Sequence, residues 1–360
     1  MEREEFMGLF ASADFDGHEV VHAFYDRNTG LKGFVAIHST KLGPAFGGCR
    51  MWSYDSERTA LRDALRLSRG MSYKNALADL AYGGGKSVIM DDEDQARSPA
   101  RFEAFGQVVE NLGGHYITAE DVGTSVEDLR IVARMTHYVS GVATKDAKGG
   151  VGGDPSPRTA HGVIQGMRAT VRFVLARDDF DGLTVAVQGV GHVGYCLCGL
   201  LHDRGARCVV CDVNEANARR AQTDFGATIT DPDAIMSTKA DILAPCALGG
   251  ALNAQTIPRI RAPIVAGAAN NQLADAEDGR RLVERGIVCA PDYVINAGGI
   301  IAAAAEYAGS GDDKVVTERI ERIYDRTLAI LEQARHEQRP PSEVADTIAR
   351  ERLGLDCAGH

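Results

Sequence analysis

The 360-residue chain has no run of eighteen or more apolar residues, so it offers no membrane-spanning helix. It has no basic excess either. Its 39 Lys and Arg stand against 50 Asp and Glu, a net charge of −11, with none of the basic stripes that nucleic-acid binders carry. Prolines number only 11 and no Gly-X-Y period exists, which excludes a fibre. Eight cysteines are too sparse for a disulfide scaffold. Cys196, Cys198, Cys208, Cys211, Cys246 and Cys289 fall mostly in apolar runs and read as reduced core thiols of a cytoplasmic protein. Zinc is not expected at the close-spaced cysteines, because Arg207-Cys208-Val209-Val210-Cys211-Asp212 reads as a strand where a metal site needs turns, and no histidine spacing calls for a metal. The start, Met1-Glu2-Arg3-Glu4-Glu5, has no apolar segment and does not read as a signal peptide. No repeat or low-complexity run is found.

What remains is an ordinary globular balance, 44% apolar and 25% charged. At about 150 residues per domain the length suggests two domains. Glycine is in excess: 40 of 360 is about 11%, against a usual share of about 7%. With no repeat to absorb it, the excess belongs to turns and close backbone approaches.

The breaker-rich stretch Gly149-Gly150-Val151-Gly152-Gly153-Asp154-Pro155-Ser156-Pro157 reads as a connector. Before it, Leu31–His38 suits a strand, and apolar positions at Ala60, Leu61, Ala64, Leu65 and Leu67 suit a helix over about 56–68. After it, a helix is expected over Thr159–Ala176. Short apolar strands then alternate with polar helices, at Thr184–Gln188, Cys208–Asp212, Ile242–Ala244, Ile264–Ala266 and Val288–Ala290. That alternation predicts a parallel sheet covered by helices. One long helix is expected over Val315–Leu331, then a final helix after Pro340-Pro341. The fold class is α/β, with domains at about 1–140 and 141–334 and the helices of about 335–360 packing back on the first.

The clearest generic motif follows the strand Thr184–Gln188: Gly189-Val190-Gly191-His192-Val193-Gly194, a G-x-G-x-x-G turn leading into a helix. Gly189 allows the tight turn, Gly191 a close approach to pyrophosphate, and Gly194 helix–strand packing. Asp212 stands 18 residues past Gly194 (212 − 194), where an acid hydrogen-bonds the adenosine ribose and repels a 2′-phosphate. The expected cofactor is therefore NAD rather than NADP. His192 occupies a free position of the motif and is expected to face solvent. Gly83-Gly84-Gly85-Lys86-Ser87 imitates the end of a phosphate loop, but position 80 is Leu80 where that motif needs glycine.

Lys74 and Lys86 flank an apolar, glycine-rich segment. Partial burial and a second ammonium nearby would both lower a lysine towards the range of a general base. Asp121, in Thr118-Ala119-Glu120-Asp121-Val122-Gly123, is the candidate acid. Taken alone, the two lysines also read as ordinary surface residues.

A resemblance decides between these readings. The segments Gly43-Pro44-Ala45-Phe46-Gly47-Gly48-Cys49-Arg50-Met51, both lysine segments, Thr118–Asp121 and Gly153-Asp154-Pro155-Ser156-Pro157-Arg158-Thr159-Ala160 are similar to those of the glutamate/leucine/phenylalanine/valine dehydrogenase family. So are the dinucleotide turn, Ala268-Ala269-Asn270-Asn271-Gln272-Leu273 and Pro291-Asp292-Tyr293-Val294-Ile295-Asn296-Ala297-Gly298-Gly299. They run in the family's order and resemble its leucine-type members most. The resemblance implies a substrate domain and a Rossmann-type domain separated by a cleft. It implies that Lys74 holds the substrate carboxylate, Lys86 activates water and Asp121 moves the amino proton. Asn270 and Asn296 would orient substrate and nicotinamide, and Thr159 would bind the carboxamide. Gly47 and Gly48 would let backbone crowd the substrate. The partners implied are an amino acid, its 2-oxo acid and ammonia, with a homo-oligomer, octamer or smaller, as the working form.

The side-chain pocket implied by the resemblance is Phe46, Ala119, Ile300 and Ala303. Glutamate-type members carry a lysine where Phe46 stands, so glutamate is disfavoured. Leucine-type members usually have leucine at 46 and valines at 300 and 303, and phenylalanine-type members tend to have glycine at 119. A branched-chain substrate is expected, with an aromatic one as the alternative, since a methylene or two discriminates by only about 1–3 kcal/mol. A non-catalytic NAD or amino-acid sensor keeping the fold is the other alternative.

Overall fold

The structure, a computed structural model, describes residues 8–91, 97–142, 152–247 and 249–355. Gly149, Gly150 and Val151 of the expected connector, and Met1–Glu5, lie outside them. The chain forms two units: Met1–Gly153 with Ala303–Ser310 and Ala349–His360, and Asp154–Ala302 with Gly311–Ile348.

In the first unit the elements run β1 (Val20–Tyr25), β2 (Lys32–Ser39), β3 (Ala45–Trp52), α1 (Glu57–Leu77), β4 (Gly83–Met90), α2 (Pro99–Asn111), β5 (Tyr116–Glu120) and α3 (Val126–Val132). The sheet order is β1-β2-β4-β3-β5. β4 is antiparallel to β2 and parallel to β3, which is parallel to β5. Helix α1 starts at a capping box in which Ser56 Oγ accepts the Thr59 N–H and Thr59 Oγ1 accepts the Ser56 N–H, both at 3.2 Å. Apolar periodicity ended this helix near residue 68. It continues to Leu77, through Gly70 and Lys74, because Tyr73, Ala76 and Leu77 extend the buried stripe. That stripe packs Ala60, Ala64 and Leu65 on Ala36 and Val88. The other face of the sheet carries Phe102, Phe105 and Val109 of α2 and Leu129 and Val132 of α3.

His18, ahead of β1, is pinned under α1. Its Nδ1 accepts the Asp16 N–H at 3.2 Å, so the proton sits on Nε2, which faces Leu65 O at 3.0 Å and Ser68 Oγ at 3.1 Å. Burial pushes its pKa down to about 4 from 6.5. Between those values the unfolded chain binds a proton that the folded chain refuses, so stability falls as pH is lowered through this window. Thermal unfolding at stepped pH should show that decline, and His18→Gln should flatten it. An unchanged slope in the variant would assign the decline to other groups.

The second unit runs α4 (Ser156–Leu175), β6 (Thr184–Gln188), α5 (His192–His202), β7 (Arg207–Cys211), α6 (Glu215–Phe225), β8 (Thr228–Ile229), β9 (Ile242–Pro245), β10 (Ile264–Val265), α7 (Glu277–Glu284), β11 (Val288–Cys289) and α8 (Asp292–Ile295). Then come α9 (Gly298–Tyr307), α10 (Asp313–Glu321), α11 (Ile323–Glu337) and α12 (Pro341–Leu353), of which α9 from Ala303 and α12 from Ala349 belong to the first unit. Its strands are all parallel, in the order β11-β10-β9-β6-β7-β8, the doubly wound Rossmann-type sheet that the strand spacing predicts. The single helix expected over 315–331 is two. The break is shallow, since Arg322 keeps helical torsions and its N–H still reaches Glu318 O at 3.4 Å. Cys196, Cys198, Cys208, Cys211, Cys246 and Cys289 are free thiols. Among the described residues no helix is long and apolar enough to cross a membrane.

Candidate active site

Strand β4 reads Gly-Gly-Gly-Lys-Ser-Val-Ile-Met and is buried throughout, between β2 and β3. Strand alternation puts Gly84, Lys86 and Val88 on the face towards α1, where Val88 joins Ala60 and Leu65. Lys86 is only 4% exposed, and its Nζ lies 3.0 Å from Asp121 Oδ2, just past the end of β5. Gly48 on β3 makes the room. A Cβ there would stand 2.7 Å from Asp121 Cβ and 3.2 Å from Lys86 Nζ.

The same carboxylate oxygen takes a second cation, Arg50 Nε at 3.0 Å. Arg50 Nη1 meets Asp63 Oδ2 of α1 at 3.0 Å, and Tyr54 donates its hydroxyl to that oxygen at 2.6 Å. Burial lowers the Lys86 ammonium, opposed by Asp121 and aided by Arg50. Burial alone would raise the Asp121 carboxyl, but Lys86 and Arg50 together hold it below its ordinary value. Arg50 is a cation that presses on Lys86. Its place was readable, because two residues after Gly48 on a strand is the same face. Without a partner in view, the arginine passed as part of a glycine motif.

Lys74 sits on α1, partly exposed. Its stretch of helix is fixed to the sheet. Asn75 Nδ2 donates to Phe46 O at 3.2 Å and Gly83 O at 2.6 Å, and His38 Nδ1 meets Ser72 Oγ at 2.8 Å.

Phe46 is fully buried, edge-on to Tyr82 and Tyr307 with ring centres 5.1 and 6.0 Å away, and those two rings lie 6.4 Å apart. Ala119 of β5 is buried and pairs with Gly48. Ala303 O accepts the Ser140 hydroxyl at 2.8 Å. Ile300, a turn earlier on α9, is partly buried and belongs to the second unit. Sequence reasoning missed both tyrosines. Tyr82 stands beside the glycine run and had a signal; Tyr307, on a distant helix, had none.

In the second unit, Gly189 has φ +91°, a Cβ at Gly194 would strike Gly189 O at 2.1 Å, and a Cβ at Gly191, the N-cap of α5, would meet open space. The three glycines thus do different work: a left-handed turn, close helix packing, and an open helix N-terminus of the kind that receives phosphate. Val190 is buried, Val193 partly so, and His192 exposed. At the end of β7, Asp212 Oδ2 accepts the Val190 N–H and Oδ1 the Asn214 N–H, each at 2.8 Å, which fixes the carboxylate beside the turn. Asn296 Nδ2 donates to Asn270 Oδ1 at 2.9 Å and Ala268 O at 3.1 Å, while its buried Oδ1 has no partner among the described residues. Thr159, in the first turn of α4, donates to Pro155 O at 3.1 Å, and a Cβ at Gly299 would strike its Oγ1 at 2.6 Å. An open glycine-lined helix N-terminus, a fixed acid and an orphaned buried amide oxygen together fit a dinucleotide with a carboxamide.

Residues 18–138 match the family description Glu/Leu/Phe/Val dehydrogenase, dimerisation domain, and residues 210–354 match Glutamate/Leucine/Phenylalanine/Valine dehydrogenase. The chain belongs to this family. It is an amino acid dehydrogenase with a dinucleotide-binding domain. Leucine dehydrogenase of Thermoactinomyces intermedius is 49% identical over 349 residues, covering 97% of this chain and 94% of that protein. Valine dehydrogenase of Streptomyces virginiae is 45% identical over 348 residues, 96% of each. The crystal structure of L-tryptophan dehydrogenase from Nostoc punctiforme is similar with a TM-score of 0.78 and 40% identity, over 94% of this chain and 96% of that one. In this amino acid dehydrogenase, then, a buried lysine paired with a partly buried aspartate lies in one unit and a glycine turn of dinucleotide-binding pattern in the other.

Proposed function

We propose that the chain catalyses reversible, NAD-dependent oxidative deamination of an apolar L-amino acid, leucine, valine or isoleucine, to the 2-oxo acid, ammonia and NADH, as a cytoplasmic homo-oligomer. The observation that carries this reading is the pairing of buried Lys86 with partly buried Asp121, 3.0 Å apart, beside Gly48, which leaves room for both.

An amino acid brings one carboxylate and one ammonium, so its site needs one cation and one anion at fixed positions. Lys74 supplies the cation for the carboxylate. Asp121, ionised because two cations face it, takes up the amino proton and later returns it. NAD, bound at the Gly189–Gly194 turn with Asp212 on its ribose, supplies the acceptor for the Cα hydride. Water then adds to the iminium carbon as neutral Lys86 Nζ takes its proton, and C–N cleavage releases ammonia. Asn296 offers its orphaned Oδ1 to the nicotinamide amide. Asn270, its hydrogen-bond partner, and Thr159 complete the orientation of substrate and ring. Gly47 and Gly48 leave the substrate backbone-walled space. Preference for NAD rests on Asp212, whose charge would oppose a 2′-phosphate.

Phe46, Ala119, Ile300 and Ala303 line the side-chain position in this reading. A glutamate carboxylate placed there would be desolvated against Phe46 with no cation, at about several kcal/mol. The aromatic set of Phe46, Tyr82 and Tyr307 favours a second reading, the same chemistry on phenylalanine or tryptophan, for which edge-on ring contacts are available.

The test is NADH formation, followed by absorbance, across a panel of L-amino acids with NAD and NADP. Turnover on leucine, valine and isoleucine with NAD, and little on glutamate or with NADP, is expected. A preference for phenylalanine or tryptophan would move the protein to the second reading. Dinucleotide binding without any turnover would refute both.

A further inference from the structure

The Lys86–Asp121 pair has a difficulty that the two residues do not solve between them. A lysine that works as a base must give up its proton, and a lone, partly buried partner carboxylate would then be left unpaired, which is costly. Arg50 answers this. Its Nε lies 3.0 Å from the very oxygen, Asp121 Oδ2, that Lys86 Nζ approaches at 3.0 Å. A guanidinium does not deprotonate in proteins, so Asp121 keeps a cation in either state of Lys86.

We propose that Arg50 is a positioning residue for the reaction: it shares Asp121 Oδ2 with Lys86, fixes that carboxylate, and takes up enough of its charge for Lys86 to work as an unprotonated amine. This rests on the reading of Lys86 as the base. Arg50 is itself held from behind, through Nη1 to Asp63 Oδ2 at 3.0 Å, the oxygen to which Tyr54 donates at 2.6 Å. The four charged groups form a line, Lys86, Asp121, Arg50, Asp63, with two of each sign, so the cluster is neutral while Lys86 is charged and carries one negative charge when it is not. Only a planar fork reaches two carboxylates at once from Nε and Nη1; a lysine at 50 would reach one.

Other titratable and charged groups on the surrounding elements include the following. On β3, Cys49 is a neutral thiol, pushed up to about 12 by burial. Tyr116 of β5 and Tyr54 are likewise raised, first by burial, and stay neutral. Glu120 on β5, Lys74 on α1 and Asp128 on α3 are further charged groups on these elements, and Arg97 pairs with Asp128. For Lys86, Arg50 and Asp63 act with opposite sign: the guanidinium disfavours its proton and the carboxylate favours it.

That opposition is the test, read from the pH dependence of kcat/KM for amino acid oxidation in the full-length enzyme. Arg50→Gln should move the acidic limb up by about one pH unit or more, lowering the rate on that limb about tenfold. Asp63→Asn should move it down. Arg50→Lys should hold the limb closer to the parent position than Arg50→Gln does, with kcat reduced because one carboxylate loses its partner. Limbs that stay put, or that move the same way in Arg50→Gln and Asp63→Asn, would overturn the proposal. Should Arg50→Gln not fold, the direction of the Asp63→Asn shift decides alone. Lys86→Ala run alongside separates the two readings. An inactive Lys86→Ala with unmoved limbs removes only the role of Arg50, whereas a Lys86→Ala that keeps the parent activity and limb removes both.

Discussion

Replacing Lys86 with alanine should lower kcat by about a thousandfold while leaving dinucleotide binding in place. The loss follows from removing the group proposed to take the proton of the attacking water; the survival of the fold follows from Arg50. With the lysine gone, Asp121 still has a guanidinium at 3.0 Å, so the partly buried carboxylate is not stranded, and the cost is confined to the lost side-chain packing. Asp121→Ala is the harsher change, since it leaves Lys86 and Arg50 facing each other with only Asp63 to compensate them. The measurement is kcat by NADH formation beside dinucleotide binding by calorimetry. Activity within tenfold of the parent in Lys86→Ala would mean that another group activates the water. Loss of dinucleotide binding would mean that the lysine supports the fold.

How far this could be read from sequence differed between the halves, for physical reasons. The second unit was legible because parallel strands buried on both faces are short apolar runs, and because G-x-G-x-x-G makes sense only between a strand and a helix. The first unit was less so. Gly83-Gly84-Gly85 reads as a turn, yet it opens a central strand, because β4 inserts between β2 and β3 out of chain order. Nothing local announces that insertion. It is what buries Lys86, whereas the sequence supported no more than partial desolvation. Helix α1 ran past its expected end because Gly70 interrupts the apolar periodicity without interrupting the helix, so Lys74 became a helical residue. The line from Lys86 to Asp63 joins two strands, a loop and a helix, and its members were visible only one at a time. Tyr307 reaches Phe46 from more than 250 positions away, a separation that local pattern cannot bridge.

The largest effect on stability is expected at Gly84. A Cβ there would lie 2.0 Å from the Ser72 N, 2.3 Å from its Oγ and 2.4 Å from its Cα, so alanine must drive α1 away from β4. The helix has little freedom to yield, because Asn75 ties it to Phe46 O and Gly83 O and His38 holds the Ser72 hydroxyl. Gly84→Ala should therefore cost about 3 kcal/mol or more, as overpacking against backbone does. It should also raise the KM for the amino acid, since Lys74 rides on the displaced turn. Gly70 is the matched comparison. It lies on the same helix, but a Cβ there would meet nothing within 4 Å. Removing that glycine's extra freedom in the unfolded chain should stabilise Gly70→Ala by about 0.5–1 kcal/mol. Denaturant unfolding of the pair reads the two signs directly. If both variants lose stability alike, helix α1 is sensitive to any added methyl and close approach to Ser72 is not what requires glycine at 84. Opposite signs would tie the glycine run of β4 to the seating of α1, and through it to the position of Lys74.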